Sequence, residues 1–299
     1  MRKLRNWLNG DKGFDLGIYL ISGFIALLCL YPLYLVLINS FSDPFAVARG
    51  EVVLLPKGFS FDAYIQAFKN GDIMRGYANS LFYLVVGVMI NMVLTIPAAY
   101  ALSKQHMKGR NAIMMMIVFT MYFSGGLIPH YLMVRGLGLI NTRAIVLLEG
   151  AVVTTNLIIA RTFFASSVPK ALEEAAEIDG CSGIQVFFKI VLPLSKAIMA
   201  VITLYYMVGH WNSYFTEMMY LRDREKYPIQ LILRSILSMS RVDPKDMQGI
   251  DGEQLSQMIG AADVLKYGLI VISTVPILCV YPFIQKYFEK GVMVGSVKG

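Results

Sequence analysis

Charge is scarce in this chain. Asp, Glu, Lys and Arg make up 16% of its 299 residues, while 56% are hydrophobic and the mean hydropathy is +0.58. A soluble domain carries roughly 25% charged residues, so an ordinary globular domain is excluded. Cysteine is scarce too. Cys29 and Cys279 sit inside apolar runs and Cys181 in a polar stretch, which excludes a disulfide framework. No cysteine–histidine cluster suggests a metal. The sequence has no G-x-x-x-x-G-K-[ST] and no G-x-G-x-x-G, so nothing in it cradles a nucleotide, and it has no H-E-x-x-H. It also lacks the string of intramembrane carboxylates or histidines that a proton-coupled carrier uses. The first apolar run is too long for a cleavable leader, lacks a small-residue cleavage site, and reads as a retained span. In a soluble protein the net charge of +7 would suggest nucleic acid. Here basic residues beside membrane spans account for it, and no nucleic-acid partner is expected.

What the chain has in abundance is uncharged apolar sequence, and about 20 such residues cross a bilayer. Six runs are legible: 16–39, 81–101, 113–133, 144–160, 197–216 and 267–287. The expected fold is an all-α polytopic membrane protein of six transmembrane helices. It forms one domain over 16–288, between tails at 1–15 and 289–299. At 1.5 Å per residue, 81–101 covers about 31 Å, the hydrocarbon thickness. Pro97 is expected to kink that span. Gly125, Gly126 and Pro129 interrupt 113–133, and the freed backbone there needs cover from protein or a cavity. Residues 221–266 read as a long polar segment, placed outside. Arg2, Lys3, Arg5 and Lys12 crowd the amino-terminal tail, and Lys104, Lys108 and Arg110 the loop after the second span. The positive-inside bias puts both in the cytoplasm, and with six spans both termini as well.

Between spans four and five lies a polar island, 165–194. It contains Leu172-Glu173-Glu174-Ala175-Ala176-Glu177-Ile178-Asp179-Gly180 and continues to Ile190-Val191-Leu192-Pro193. Pro169 suits a first helical turn. Glu173 and Glu174 suit the positive end of that helix. Leu172, Ala175 and Ala176 make a small apolar stripe, and Gly180 stops the helix with a left-handed cap. A second amphipathic piece, 184–191, ends at Pro193. The product is a helix-turn-helix elbow with acidic side chains and a small-residue face, suited to a pocket on another protein. An ordinary amphipathic helix in a cytosolic loop is the plainer reading.

The spacing Glu174-Ala175-Ala176, three residues, Gly180, nine residues, Ile190, one residue, Leu192-Pro193 resembles the EAA loop of permease subunits of ATP-binding-cassette importers. Asn79-Ser80-Leu81, Ala99-Tyr100-Ala101-Leu102-Ser103, Gly138-Leu139-Ile140-Asn141-Thr142 and Trp211-Asn212 resemble junctions in carbohydrate importers. The ending Gly291-Val292-Met293-Val294-Gly295-Ser296-Val297-Lys298-Gly299 resembles that of the smaller permease of the maltose importer. Phe123-Ser124-Gly125-Gly126-Leu127-Ile128-Pro129 is closer to a branch associated with complex or plant-derived oligosaccharides.

The resemblance implies a multi-pass permease of the bacterial cytoplasmic membrane, forming half of a carbohydrate path. It implies a second permease in a heterodimer, two ATPase subunits beneath, and an extracellular solute-binding protein. ATP and Mg are then expected on the partner ATPase, with no cofactor on this chain. Coupling would run through Glu173, Glu174, Ala175, Ala176, Asp179, Gly180, Ile190, Leu192 and Pro193. A non-sugar solute moved by the same machinery is an alternative reading, and an ion-gradient-driven carrier a more distant one.

The solute path is sought in span five. Tyr206, His210, Ser213 and Glu217 fall on one helical face, and Tyr205, Gly209 and Asn212 on an adjacent one. Aromatic faces and hydrogen-bonding side chains together suit a sugar, which shows C–H patches beside hydroxyls. Polar groups also serve as interhelical glue, the competing account for Asn156, and Trp211 and Tyr214 fit an interfacial belt. Glu149, an acid in an apolar run, is a functional candidate by default, although near a span end it can reach water.

Overall fold

The structure is a computed structural model that describes residues 11–239 and 265–279. Every regular element among them is helical. They divide into two compact units. One runs to Asn70 and takes up Leu233–Thr274; it carries α1 (Asp11–Ser40), α2 (Pro44–Ala48) and α3 (Asp62–Lys69). The other runs from Gly71 to Ile232 and takes up the chain from Val275. It carries α4 (Gly71–Ser103), α5 (Arg110–Tyr122), α6 (Leu127–Gly136), α7 (Arg143–Leu148), α8 (Thr154–Ser167), α9 (Lys170–Ile178), α10 (Gly183–Val186), α11 (Lys196–Asn212) and α12 (Phe215–Tyr220). A π turn, Phe187–Val191, and a single α turn, Leu192–Leu194, lie between α10 and α11. Helices α13 (Ile229–Met239) and α14 (Leu265–Cys279) give residues to both units.

Two helices are long and apolar enough to cross a membrane, Phe14–Ser40 and Gly71–Ser103. Most side chains on the first are exposed, as a lipid-facing helix requires. Two bent pairs are further candidates: α5 with α6, at 116°, and Gly183–Leu194 with α11, at 83°. Among the described residues this makes up to four spans by length and composition.

Several expected spans differ in detail. The second is longer, since α4 begins at Gly71, and Asn79 and Ser80 lie within the helix rather than at its entry. Pro97 removes an amide donor, yet α4 continues through it unbroken. The third turns sharply at Gly126, where φ is +83°, a conformation glycine adopts at little cost. Residues 121–129 are exposed, so cover for that break does not come from this chain's described residues. The fourth, expected as one span over 144–160, is two helices: α7 ends at Leu148, Gly150 takes φ +70°, and α8 starts at Thr154. The fifth breaks after Asn212, short of residue 216. The sixth coincides with α14 as far as Cys279, while residues 280–287 lie outside the described residues. So do 1–10, 240–264 and the carboxy-terminal tail with its maltose-permease-like ending. The 221–266 segment is less polar than it reads, because α13 is amphipathic and buries Ile229, Leu231 and Ile232.

The main core of the second unit joins α4, α8, the 170–194 region and α11. Ile96, Ala99 and Leu102 meet Leu157, Ala160 and Phe164, with Val186, Phe187, Val191 and Ile202 closing the cluster. Ala99 and Ala160 are wholly buried. Small residues at such positions let helix backbones approach where lipid offers no hydrophobic drive. A second cluster gathers Tyr83, Val134, Ile145, Val146, Tyr220 and Leu221.

Candidate functional site

A cavity of 340 Å³ opens beside the break between α7 and α8. Glu149, Asn156, Tyr205, Tyr206, Gly209, His210 and Ser213 line it. Of the residues read as a path, Asn212, which is exposed, and Glu217 do not line it. The single helical face imagined from Tyr206 to Glu217 is not continuous, because α11 ends at Asn212. Ser213 reaches the cavity from the break, and its Oγ donates to Glu217 Oε2 at 2.9 Å. Glu217 is itself buried.

The two neighbouring tyrosines divide the work. Tyr206 is 3% exposed; its hydroxyl lies 2.6 Å from Thr95 Oγ1 and accepts from Val153 N at 3.1 Å. It ties α11 to α4 and to the α7–α8 break. Tyr205 is 43% exposed and lines the cavity. Trp211 is buried against Tyr77, edge to face at 5.6 Å, and packs rather than lines the cavity.

Behind the cavity, α4 supplies groups that sequence reading passed over. Gly87, Asn91 and Thr95 stand at intervals of four, hence on one face. Asn91 is fully buried and donates from Nδ2 to Gly150 O (3.2 Å) and Ala151 O (2.8 Å). Both amide hydrogens being so placed, its Oδ1 is an acceptor, and His210 Nε2, 2.7 Å away, is the donor. His210 therefore carries a proton on Nε2. The ring lies over Gly87, where an added Cβ would stand 2.5 Å from it. The signal available in the sequence was a polar amide in the middle of an apolar span.

Glu149 caps the carboxyl end of α7. Its Oε1 lies 4.0 Å from His130 Nδ1, and its Oε2 is buried without a hydrogen-bond partner among the described residues. An aromatic ring, a carboxylate, an amide and an imidazole together can hold both C–H patches and hydroxyl groups.

At the other end of α4 stands the 170–194 region. Pro169 is the residue before α9 rather than its first. α9 closes in a Schellman arrangement around Gly180 at φ +83°. Gly180 N donates to Glu177 O and Cys181 N to Ala176 O. Ser182 and Gln185 then form a capping box that starts α10. Helical structure continues past Pro193 to Leu194 and breaks at Ser195. Glu174, Ala175, Asp179 and Gly180 are exposed and Ala176 is buried. Ile178 and Ile184 stand out at 86% and 72% exposed, an apolar patch beside the acids. Ile190 and Leu192 are half-buried, and Pro193 is exposed.

Glu173 differs from its neighbours. It pairs with Lys104 and accepts from the Tyr100 hydroxyl at 3.0 Å. Burial works against the charge on Lys104, but the hydrogen bonds to Glu173 and Tyr100 prevail and raise its pKa above the usual lysine value. That contribution to stability is complete below the ordinary lysine pKa and is lost only as pH rises past the raised one.

The remaining sequence motifs meet elsewhere. Asn141 takes φ +59° and accepts at Oδ1 from Arg222 N and Asp223 N, both at 3.1 Å, while its Nδ2 donates to Asp223 Oδ2 at 2.8 Å. Lys226 Nζ donates to Asn141 O at 2.7 Å and to Asp223 Oδ2 at 2.8 Å. Asn79 Nδ2 donates to Glu225 O and Tyr227 O, and Ser80 Oγ accepts from Ile229 N. A knot at residues 221–229 is thus tied to α4 and to the turn before α7. Hydrogen bonds from Lys226 and Asn141 hold the Asp223 carboxyl below the usual carboxylate range.

A family model described as "Binding-protein-dependent transport system inner membrane component" matches residues 73–294. The chain is 42% identical over 289 residues to the "Polygalacturonan/rhamnogalacturonan transport system permease protein YtcP" of Bacillus subtilis (strain 168), covering 97% of this chain and 99% of that protein. It is 40% identical over 286 residues to "Protein LplC" of the same organism, covering 96% and 95%. Among solved structures, a chain of "a bacterial ABC transporter involved in the import of the acidic polysaccharide alginate" matches with TM-score 0.84 and 34% identity, covering 94% of this chain and 98% of that one.

Proposed function

Since the chain belongs to the family of binding-protein-dependent transport system inner membrane components, we propose that it forms half of the membrane path of an ATP-binding-cassette importer for oligosaccharides. A second permease supplies the other half, an extracellular binding protein delivers the solute, and two ATPase subunits on separate chains drive the cycle. The carbohydrate reading draws on relatives named for polygalacturonan, rhamnogalacturonan and alginate. The observation that carries it is the 340 Å³ cavity, where the exposed Tyr205 stands among Glu149, Asn156 and His210. Tyr205 stacks on a sugar face and the polar groups take its hydroxyls.

In this reading the chain crosses the membrane six times with both termini inside, and 165–194 is the cytoplasmic coupling loop. Glu174 and Asp179 meet basic groups of the ATPase. Ala175 permits close approach, Gly180 sets the turn, and Ile178 and Ile184 supply apolar area. Ile190, Leu192 and Pro193 hold the loop to α11. The exposed break at 123–126 faces the second permease, which covers its backbone. ATP and Mg bind the ATPase subunits alone.

The test is to purify the tagged chain in mild detergent and identify its companions by mass spectrometry. A second permease and a soluble ATPase are expected, with ATP-driven sugar uptake after reconstitution with the cognate binding protein. Recovery of the chain alone, active under an ion gradient without ATP, would overturn the proposal.

A further inference from the structure

The carboxylates of the elbow are not equivalent. Glu174, Glu177 and Asp179 are exposed and carry no ion pair among the described residues, whereas Glu173 turns inward. Its partner Lys104 stands one residue past the end of α4, and Tyr100 lies one turn earlier on that helix. The Lys104 ammonium sits 4.2 Å over the Tyr100 ring. The side chains of Lys104 and Glu173 are only 21% and 16% exposed, so solvent and salt screen the pair weakly. The same ring touches both sides of the region: Phe187 after α10 at 5.0 Å and Phe164 of α8 at 5.7 Å.

These contacts make α4 a further, non-covalent connection between elbow and cavity. The chain itself connects them at both ends: through α8, which carries Asn156 at the cavity and leads into α9, and from α10 to α11, through a π turn and an 83° bend at Ser195. π turns interrupt regular hydrogen bonding and are places where helices give. α4 runs as one helix from Gly71 to Ser103, through Pro97. Thr95 and Asn91, which bind Tyr206 and His210, lie about 7 and 14 Å along its axis from Tyr100.

We propose that Lys104, Glu173 and Tyr100 are positioning residues that latch the elbow to α4, so that displacement of the elbow by the ATPase reaches the Asn91–His210 and Thr95–Tyr206 contacts. The latch stays closed through the cycle. This rests on the function proposed above.

The test uses the complete transporter in proteoliposomes with its binding protein, measuring solute taken up per ATP hydrolysed. Lys104→Glu and Glu173→Lys are each expected to lower that ratio about fivefold or more while hydrolysis continues. The doubly reversed chain should recover to within about twofold of the parent, which loss of ATPase docking by Glu173 would not allow, and continued hydrolysis in the single variants excludes loss of fold. Should the reversals fail to assemble, Lys104→Met and Glu173→Gln remove the charges at nearly constant volume, and the same drop is expected. Single variants with the parental ratio, or a double reversal as poor as the singles, overturn the latch and leave the importer standing. A parent transporter without ATP-driven uptake overturns the importer, and the latch with it.

Discussion

Asn91 is one amide in an apolar helix, and three groups depend on it: two carbonyls at the α7–α8 break and the imidazole of His210. Asn91→Leu keeps the volume and removes every partner. Destabilisation by about 1–3 kcal/mol is expected, read as a lower melting temperature of the purified complex. Gly87→Ala asks less of the fold and more of the site. The new methyl would meet the His210 ring, which must tilt away from Asn91. Uptake is expected to fall several-fold with assembly and ATP hydrolysis retained, in the proteoliposome assay. Tyr205→Ala should act likewise by removing the exposed ring, whereas Tyr206→Ala should also cost stability because its hydroxyl bridges two elements. At this scale the sequence was informative about α11, where aromatics and polar groups crowd one helix. It said little about Gly87, since a glycine that exists to admit a ring looks like any other glycine.

At the scale of elements, apolar length identified helices better than their ends. A window of hydropathy registers the mean of 144–160 and not the left-handed turn at Gly150 that divides it. The amphipathic α13 was hidden by the charges around it, because its register emerges only when Ile229 and Ile232 are seen to face inward together. The 170–194 region was more legible at Gly180, whose left-handed cap is local chemistry, and less so at Pro193, past which helix continues, and at Ser182, whose capping box was not read. The knot at 221–229 allows a pH test. Asp223 has its carboxyl held below the ordinary range, so its ion pair and hydrogen bonds stabilise the knot above that range and fail as pH falls through the depressed value. Hydrogen exchange at residues 222–226 should quicken on acidification, and Asp223→Asn should remove that acid dependence. An unchanged profile in the variant would show that another group titrates.

For the whole molecule, orientation is the property on which the functional reading depends, and one native thiol reports it. Cys181 follows the Gly180 turn and is half-exposed, while Cys29 and Cys279 lie in apolar helices and can be replaced by alanine. In that background a membrane-impermeant maleimide should label Cys181 in inside-out vesicles and leave it unlabelled in right-side-out cells. The opposite pattern would place the elbow outside and detach it from any cytoplasmic ATPase. The positive-inside bias gave this orientation from Lys104, Lys108 and Arg110. Lys104 also has the quite different part of pairing with Glu173, which no count of charges could reveal because its partner is 69 residues away.

The π turn at Phe187–Val191 fixes a phase as well as a hinge. Such a turn is a helix holding one residue more than its regular form, and one residue is worth about 100° of rotation. Everything before it is therefore wound roughly a quarter turn away from where an uninterrupted helix would set it. A chain shortened there by Phe188, the exposed residue of the turn, would lose no charge, no cap and no core side chain. Its acidic surface would nonetheless point along a different compass bearing. Grafting an elbow from one permease onto another thus succeeds or fails on residue count before it depends on residue identity.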